Sequence, residues 1–546
     1  MTRYLLAADA DKIQDLVFRS ARLRQVFGGS RLLATFCTEI EQLVGLRDDE
    51  PPDYRKIINA GGSFRLSFAD QEQAMLFKTD LAAAYHWATG GTLTVVGPEE
   101  YADDEAFGLA NQRLQHKLQA AKSDSRGPAA GEHISLMALC ASCGRDWAVT
   151  YGTLPGEPED APDQAPRYLC RPCWEKAQVR EAGRDLFLDT FRRAIEQRHS
   201  HLNSQQMPAP RDPAGHVAQF DPTGYVAYIM ADGNNMGAHF RTCQSETDLK
   251  TMSDRLEAAA WASLAEPAAN LLELMDRYPQ VRPHHHPDDL PLVPLIAGGD
   301  DLFCLAPARY ALDIARLLCQ TFQAEMATIA PVTITAAVVI CKQNYPYKLA
   351  HDVAEKSLET AKQAVKSLDA PVSAVTFQVI TGNSPTAEEP ESLYRSTLRP
   401  YWVWPPQLAL NGHLAGVNNA GVSLQALVEQ RYALRNLPHK RLVELRQLFG
   451  PRLTELGSDN IPSWTGEMDT FLARVRQVRR ADWPALKGAL TALGAEPTRR
   501  GGFVWRTVTR PGEDAFSAHG LPDLIAMWDY AFDLRRNPAD YEAEVQ

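Results

Sequence analysis

Two adjacent carboxylates, Asp300 and Asp301, follow two glycines, Gly298 and Gly299, between the apolar runs PLIA and LFCLA. The glycines permit a tight hairpin turn at positive φ. A solvated turn needs one Asp or Asn; two side by side repel each other and gain from a shared cation. Mg²⁺ suits them, because it takes carboxylates together with substrate phosphates. A third carboxylate, Asp232, follows the strand-like run YVAYIMA and opens the sequence Asp232-Gly233-Asn234-Asn235-Met236-Gly237. If that strand lies beside the hairpin, Asp232 can face Asp300 and Asp301 across a pair of metal ions. One ion would then activate an attacking hydroxyl and the other would hold a leaving pyrophosphate. Ion–oxygen bonds near 2 Å and ions about 4 Å apart limit the span of such a site to roughly 8 Å.

The run after Asp232 leads from a loop into a helix, whose free N–H groups can cradle phosphates. Gly233, Asn234, Asn235 and Gly237 are therefore candidate nucleotide-binding positions, with Gly298 and Gly299 letting a nucleotide approach the hairpin closely. A basic partner for a triphosphate is available in LAHDVAEKSLETAKQAVK, which offers Lys356, Lys362 and Lys366; Lys362 is the candidate. Taken singly, an Asp-Asp pair or a helix lysine is ordinarily a solvated surface feature. Their combination is what points to nucleotidyl transfer.

A second constellation is Cys140-x2-Cys143, a 26-residue gap, and Cys170-x2-Cys173. Two such knuckles suit a tetrahedral Zn²⁺ with four thiolates, a closed and therefore structural site. The chain has nine cysteines, an odd number in a long sequence, which argues for a reducing compartment over a disulfide framework. His284-His285-His286 is less suited to one ion, since successive side chains of an extended loop point in alternate directions. Arg474, Arg476, Arg479 and Arg480, with Arg499 and Arg500, could meet RNA or a subunit, but solvated helix faces give such clusters routinely.

The elements that must position these residues occur twice. The first copy reads as strand YLLAA (4–8), helix from about 14 to 44, strand KIINA (56–60), Gly61-Gly62, strand SFRLSF (63–68), helix 71–88, strand TLTVV (92–96) and helix near 101–122. The second reads as strand 225–231, helix from about 247 to 277, the 298–301 hairpin, helix 310–328, strand 332–340, helix 347–367 and a last strand VSAVTFQVI. An antiparallel sheet with helices on one face accommodates that order. The Pro-rich stretch 202–222 reads as a linker, and the pattern beyond about 392 is mainly helical.

The GGDD hairpin, the DGNNMG loop, the Ala361-Lys362 helix and the interposed cysteine pairs resemble the large palm-domain polymerase subunit of type III CRISPR effector complexes. Ile13-Gln14, the Gly28-Gly29-Ser30-Arg31-Leu32-Leu33 turn and the degenerate Gly61-Gly62 hairpin extend the resemblance to the N-terminus. It implies an α+β fold with two ferredoxin-like, nucleotidyl cyclase-like palms, a zinc-ribbon insertion and a helical C-terminal domain. The expected segments are 1–135 (first, degenerate palm), 136–180 (four-cysteine insertion), 181–222 (helical segment and linker), 223–382 (catalytic palm) and 392–546 (helical domain). It further implies conversion of ATP into cyclic oligoadenylate messengers with two Mg²⁺ or Mn²⁺ ions, alongside guide-RNA complex subunits and target RNA. Asp232, Asp300 and Asp301 would be catalytic. In the first copy Asp9 and Asp11 remain, but its hairpin reads Gly61-Gly62-Ser63-Phe64, without carboxylates, so that palm would help hold the acceptor ATP. The family's N-terminal histidine–aspartate nuclease domain has no room before Tyr4, and His351-Asp352 lies on a palm helix; DNA cleavage is not expected.

Length and charge leave this reading open. The chain has 546 residues and a net charge of −12, with 45% hydrophobic residues. A net acidic chain is a poor non-specific nucleic-acid coat, and no apolar run reaches the roughly 18–20 residues that span a bilayer. With its early Asp9 and Asp11, the chain reads as cytoplasmic. Two alternatives remain: a stand-alone cyclase making a cyclic mono- or dinucleotide, and a non-catalytic nucleotide-binding scaffold of an RNA-guided complex.

Overall fold

The computed structural model describes residues 2–11, 13–20, 23–45, 53–60, 62–124, 137–153, 165–178, 186–202, 207–210, 212–366, 371–381, 398–403, 422–449, 461–498, 502–505, 507–508, 516–517 and 519–542. The chain divides into two compact units. Met1–Ala194, Asn235–Trp261 and Pro294–Leu302 form the first; Ile195–Asn234, Ala262–Val293 and Phe303–Gln546 form the second. The fold is α+β, and no described helix is long and apolar enough to cross a membrane.

The first copy of the repeat runs β1 (Arg3–Ala10), α1 (Ile13–Phe18), α2 (Leu23–Gly45), β2 (Tyr54–Ala60), β3 (Ser63–Phe68), α3 (Gln71–Thr89), β4 (Leu93–Tyr101) and α4 (Asp104–Asp124). Its sheet has the order β2-β3-β1-β4, and β1 is antiparallel to both neighbours. Apolar residues on alternate β1 and β3 positions, among them Leu6, Ala8, Phe64, Leu66 and Phe68, share a core with Phe36 of α2 and Tyr85 of α3. Phe36 sits edge-on to both Phe64 and Tyr85. The Gly28–Leu33 segment, expected as a turn, lies inside α2. Its glycine serves a close approach instead: a Cβ on Gly28 would collide with the Lys176 carbonyl.

The cysteine insertion comprises β5 (Thr150–Gly152), β6 (Arg167–Leu169) and α5 (Arg171–Gln178). Lys176 of α5 is buried, and its ammonium donates to the carbonyls of Leu16 and Val17 and to Ser20. Helix α6 (Leu186–Arg198) follows, and the stretch expected as a linker contains α7 (Pro213–Ala218), with buried Ala214, Val217 and Ala218.

The second copy runs β7 (Tyr225–Gly233), α8 (Met236–Thr242), α9 (Glu246–Arg277), β8 (Val293–Gly298), β9 (Asp301–Pro307), α10 (Ala311–Met326), β10 (Ile334–Lys342), α11 (Tyr347–Lys366) and β11 (Ser373–Val379). The strand order is β8-β9-β7-β10-β11-β12, where β12 is Tyr401–Val403. Its first four strands repeat the order of the smaller sheet. Two expectations are corrected. The β10–β11 pair is parallel, because α11 carries the chain back across the sheet before β11 begins. Burial also runs without alternation along β7, β10 and β11, as in a sheet covered on both faces.

Beyond β12 lie α12 (Leu424–Ala433), α13 (His439–Phe449), α14 (Ile461–Val478), α15 (Trp483–Ala492) and α16 (Leu521–Ala526), with short β-pairs between. Buried Asp523 anchors this region, accepting hydrogen bonds from Arg399 at 2.9 Å and Tyr401 at 2.7 Å. Arg499 and Arg500 lie outside the described residues, and Arg479 is engaged by Asp482.

Candidate active site

Asp232 is the penultimate residue of β7, where the strand leaves the buried run VAYIMA and its side chain becomes partly exposed. Lys362, from α11, makes an ion pair with the Asp232 carboxylate and donates to the Gly233 carbonyl at 3.0 Å. The lysine thus sits between two oxygens of a kind that a hard cation also takes. Asn234 does not reach outward. Its amide donates to Thr333 Oγ1 at 2.9 Å, and its oxygen accepts from Thr335 Oγ1 at 2.8 Å. These bonds fix the chain as it leaves β7. Asn235 takes a left-handed conformation at φ 59° before α8, Met236 is buried and Gly237 is exposed. Of the sequence-derived candidates, the second unit therefore brings together Asp232, Gly233, Asn234 and Lys362.

The hairpin is formed as expected, with β8 ending at Gly298 and β9 beginning at Asp301. Gly299 has φ +63°, which side-chain-bearing residues seldom adopt, although the space around it is open. Asp300 and Asp301 are both partly exposed. Gly298, Gly299 and Asp301 line a cavity of about 420 Å³ in the first unit, with Asn59, Glu257 and Trp261 among its other walls. Its size falls in the range of small-molecule sites, and aromatic walls with a few polar groups are the usual composition. Burial raises the Glu257 carboxyl above its ordinary range.

The first copy carries the corresponding positions within one unit. Asp9 is paired in register with Ser63 on one side and Thr94 on the other. Ser63 Oγ donates to Asp9 at 2.8 Å, and Thr94 Oγ1 donates to Asp11 at 2.7 Å. Lys122, from α4, pairs with Asp9 and donates to the Ala10 carbonyl at 3.1 Å. The second copy repeats this arrangement: Asp232 is in register with Thr335, and Lys362 bonds Asp232 and the next carbonyl. Matching the hairpins places Gly62, at φ +79°, on Gly299, and Ser63 on Asp300. The lysine and threonine positions of the first copy escaped the sequence reading, although aligning the two copies would have found them. Gly61 lies outside the described residues.

The four cysteines converge as their spacing predicts. Their sulfurs all lie within 4.8 Å of one another, and Cys143 and Cys170 are 3.7 Å apart. A tetrahedron with Zn–S bonds near 2.3 Å has an edge of about 3.8 Å, so the set fits zinc. Hydrogen bonds within the cluster push the thiols of Cys170 and Cys173 up and those of Cys140 and Cys143 down. Such a division of protons is resolved when a cation lets all four ionise. By contrast, His284, His285 and His286 are exposed.

Residues 225–368 match the family model for the Cas10/Cmr2 second palm domain, which bears out the resemblance over that segment. Among solved structures, a Csm1–Csm4 cassette in complex with cA4 is 15% identical over 90% of this chain and 70% of that one, with TM-score 0.47. A Csm1–Csm4 cassette with pppApApA is 16% identical over 90% and 69%, TM-score 0.47, and one with a single ATP is 16% identical over 85% and 67%, TM-score 0.43. No curated protein matches the chain.

Proposed function

We propose that the chain is a metal-dependent nucleotidyltransferase that converts ATP into cyclic oligoadenylates as the signalling subunit of an RNA-guided, type III CRISPR-like effector. The observation that carries the catalytic assignment is the first copy's register. The residue matching Asp300 is Ser63, and it touches the residue matching Asp232 at 2.8 Å. By analogy, the second copy would use Asp232 with Asp300 and Asp301 as its carboxylates, and Gly298, Gly299 and Asp301 line a cavity in the hairpin's own unit. The family match over 225–368 covers all three aspartates and Lys362.

Asp232, Asp300 and Asp301 would hold two Mg²⁺ or Mn²⁺ ions, which screen charge on the phosphates and lower the pKa of the attacking hydroxyl. The Gly233 carbonyl is a further hard donor, and Lys362 is placed to turn from Asp232 to the triphosphate. A 3′-hydroxyl of one ATP attacks the α-phosphorus of another, a new P–O bond forms, and pyrophosphate leaves. Repeating the step lengthens the chain, and the last attack closes the ring. Asn234, held by Thr333 and Thr335, positions Asp232 and binds no ion. The four thiols hold a structural Zn²⁺, which closes the insertion whose helix α5 carries Lys176.

Purified protein with ATP and Mn²⁺, with and without an RNA-loaded effector complex, should give cyclic oligoadenylates resolvable by mass, and Asp300→Ala with Asp301→Ala should abolish them. Only mono- or dinucleotide rings would point to a stand-alone cyclase, and no product under any condition to a binding scaffold. Product unaffected by the double substitution would overturn the site.

A further inference from the structure

Apart from the palm site, metal-ligating side chains converge just beyond α6. The backbone of His199 continues the last helical turn, with its N–H on the Ile195 carbonyl at 3.0 Å, and the chain then turns so that Leu202 N–H donates to His199 O at 3.0 Å. This turn aims two imidazoles at α9. Glu273 Oε1 lies 2.8 Å from His199 Nδ1 and 3.7 Å from His201 Nε2. Ligand bonds near 2.1 Å set tetrahedral edges at about 3.4 Å, which these two separations bracket. All three ligand atoms lie within 4.8 Å of one another.

Two further features are those of a built site. The other nitrogen of His199, Nε2, faces Glu266 Oε2 at 3.9 Å, and Arg198 holds that carboxylate at 2.6 Å. A carboxylate behind a ligating imidazole orients the ring and raises its basicity. Arg277 approaches the opposite oxygen of Glu273, Oε2, at 3.9 Å, leaving Oε1 to the histidines. A single His–Glu ion pair would explain His199 alone. It does not explain a second imidazole on the same oxygen, or the carboxylate behind the first.

We propose that His199, His201 and Glu273 bind a divalent transition ion of the Zn²⁺ or Co²⁺ type, fastening the turn after α6 to α9 and leaving a further coordination position open to water. The His201 side chain is 65% exposed, so the ion can enter and a substitution there leaves the core intact. The site shares no residue with the palm site, and its test needs no ATP.

The full chain, with its cysteine cluster loaded with zinc, is titrated with Co²⁺. Uptake of one further equivalent is expected, with a visible absorption of nitrogen- and oxygen-ligated cobalt and no thiolate charge-transfer band. His201→Ala should abolish that uptake, and Glu266→Gln should weaken it about 10–100-fold. Failure to bind cobalt beyond the cysteine cluster, or unchanged binding by His201→Ala at wild-type melting temperature, overturns the proposal.

Discussion

The two palms share their strand order, a lysine that ties the end of the first strand to the next carbonyl, and a threonine opposite the first aspartate. They differ in how the acidic end is neutralised. In the first copy the hairpin offers Ser63, and buried Arg65 stands where the second copy has Leu302. Burial lowers the Arg65 pKa to about 10, opposed by the attraction of Asp9. Lys122 and Arg65 thus supply fixed positive charge beside Asp9. In the second copy the corresponding hairpin carries two carboxylates, Asp300 and Asp301, and the aliphatic Leu302. The lesson is that one strand order carries a hairpin of Ser63, Phe64 and Arg65 in one copy and of Asp300, Asp301 and Leu302 in the other, and the proposed metal site rests on those three positions.

The largest effect expected from this contrast is at the hairpin. Asp300→Ala with Asp301→Ala should lower oligoadenylate formation at least roughly 10³-fold, the scale seen when main transition-state stabilisers are removed. Ser63→Ala in the first copy should leave the rate within about twofold. Equal losses from both would erase the distinction. The lysines sharpen it: Lys362→Met should slow product formation roughly 10²-fold. Lys122→Met should instead lower the melting temperature by removing the cation that bonds Asp9 directly, with activity per folded molecule retained.

The insertion and the flank of the second sheet give smaller, stability-level effects. Removing zinc from the four-cysteine cluster, or Cys170→Ser, should remove about one zinc equivalent per chain and lower the melting temperature. Metal analysis and a thermal scan check this together. His216 of α7 is buried, and desolvation lowers its pKa from 6.5 to about 4, with the charge of His286 adding to the shift. The folded state therefore keeps this ring neutral while the unfolded chain takes up a proton. The associated stability is complete above pH 6.5 and is lost progressively as pH falls towards 4. Denaturant titrations across that window should show a shallower decline for His216→Leu than for the parent chain.

Much of this was legible without coordinates. The β3 run SFRLSF and the α9 periodicity marked their elements almost to the residue, because alternating and helical spacings of apolar residue types are distinct in the sequence. The two glycine turns and the cysteine knuckles were equally plain, since few residue types satisfy those geometries. What stayed hidden was relational. Lys122 reaches Asp9 across 113 positions, visible only by laying one copy on the other, and His199 reaches Glu273 across 74 with no mark in the sequence. Gly28 read as a turn because glycine usually marks one, whereas here it relieves a crossing between α2 and α5. The continuous burial of β10 depends on what covers the sheet, which a strand's own residues do not state.

The most direct test is an experimental structure of the protein grown with a non-hydrolysable ATP analogue and Mn²⁺, read by anomalous scattering. The account predicts two manganese peaks about 4 Å apart, ligated by residues 232, 300 and 301, and none beside residue 9. Manganese at the N-terminal palm, or an analogue bound with the GGDD carboxylates turned away from it, would contradict the account.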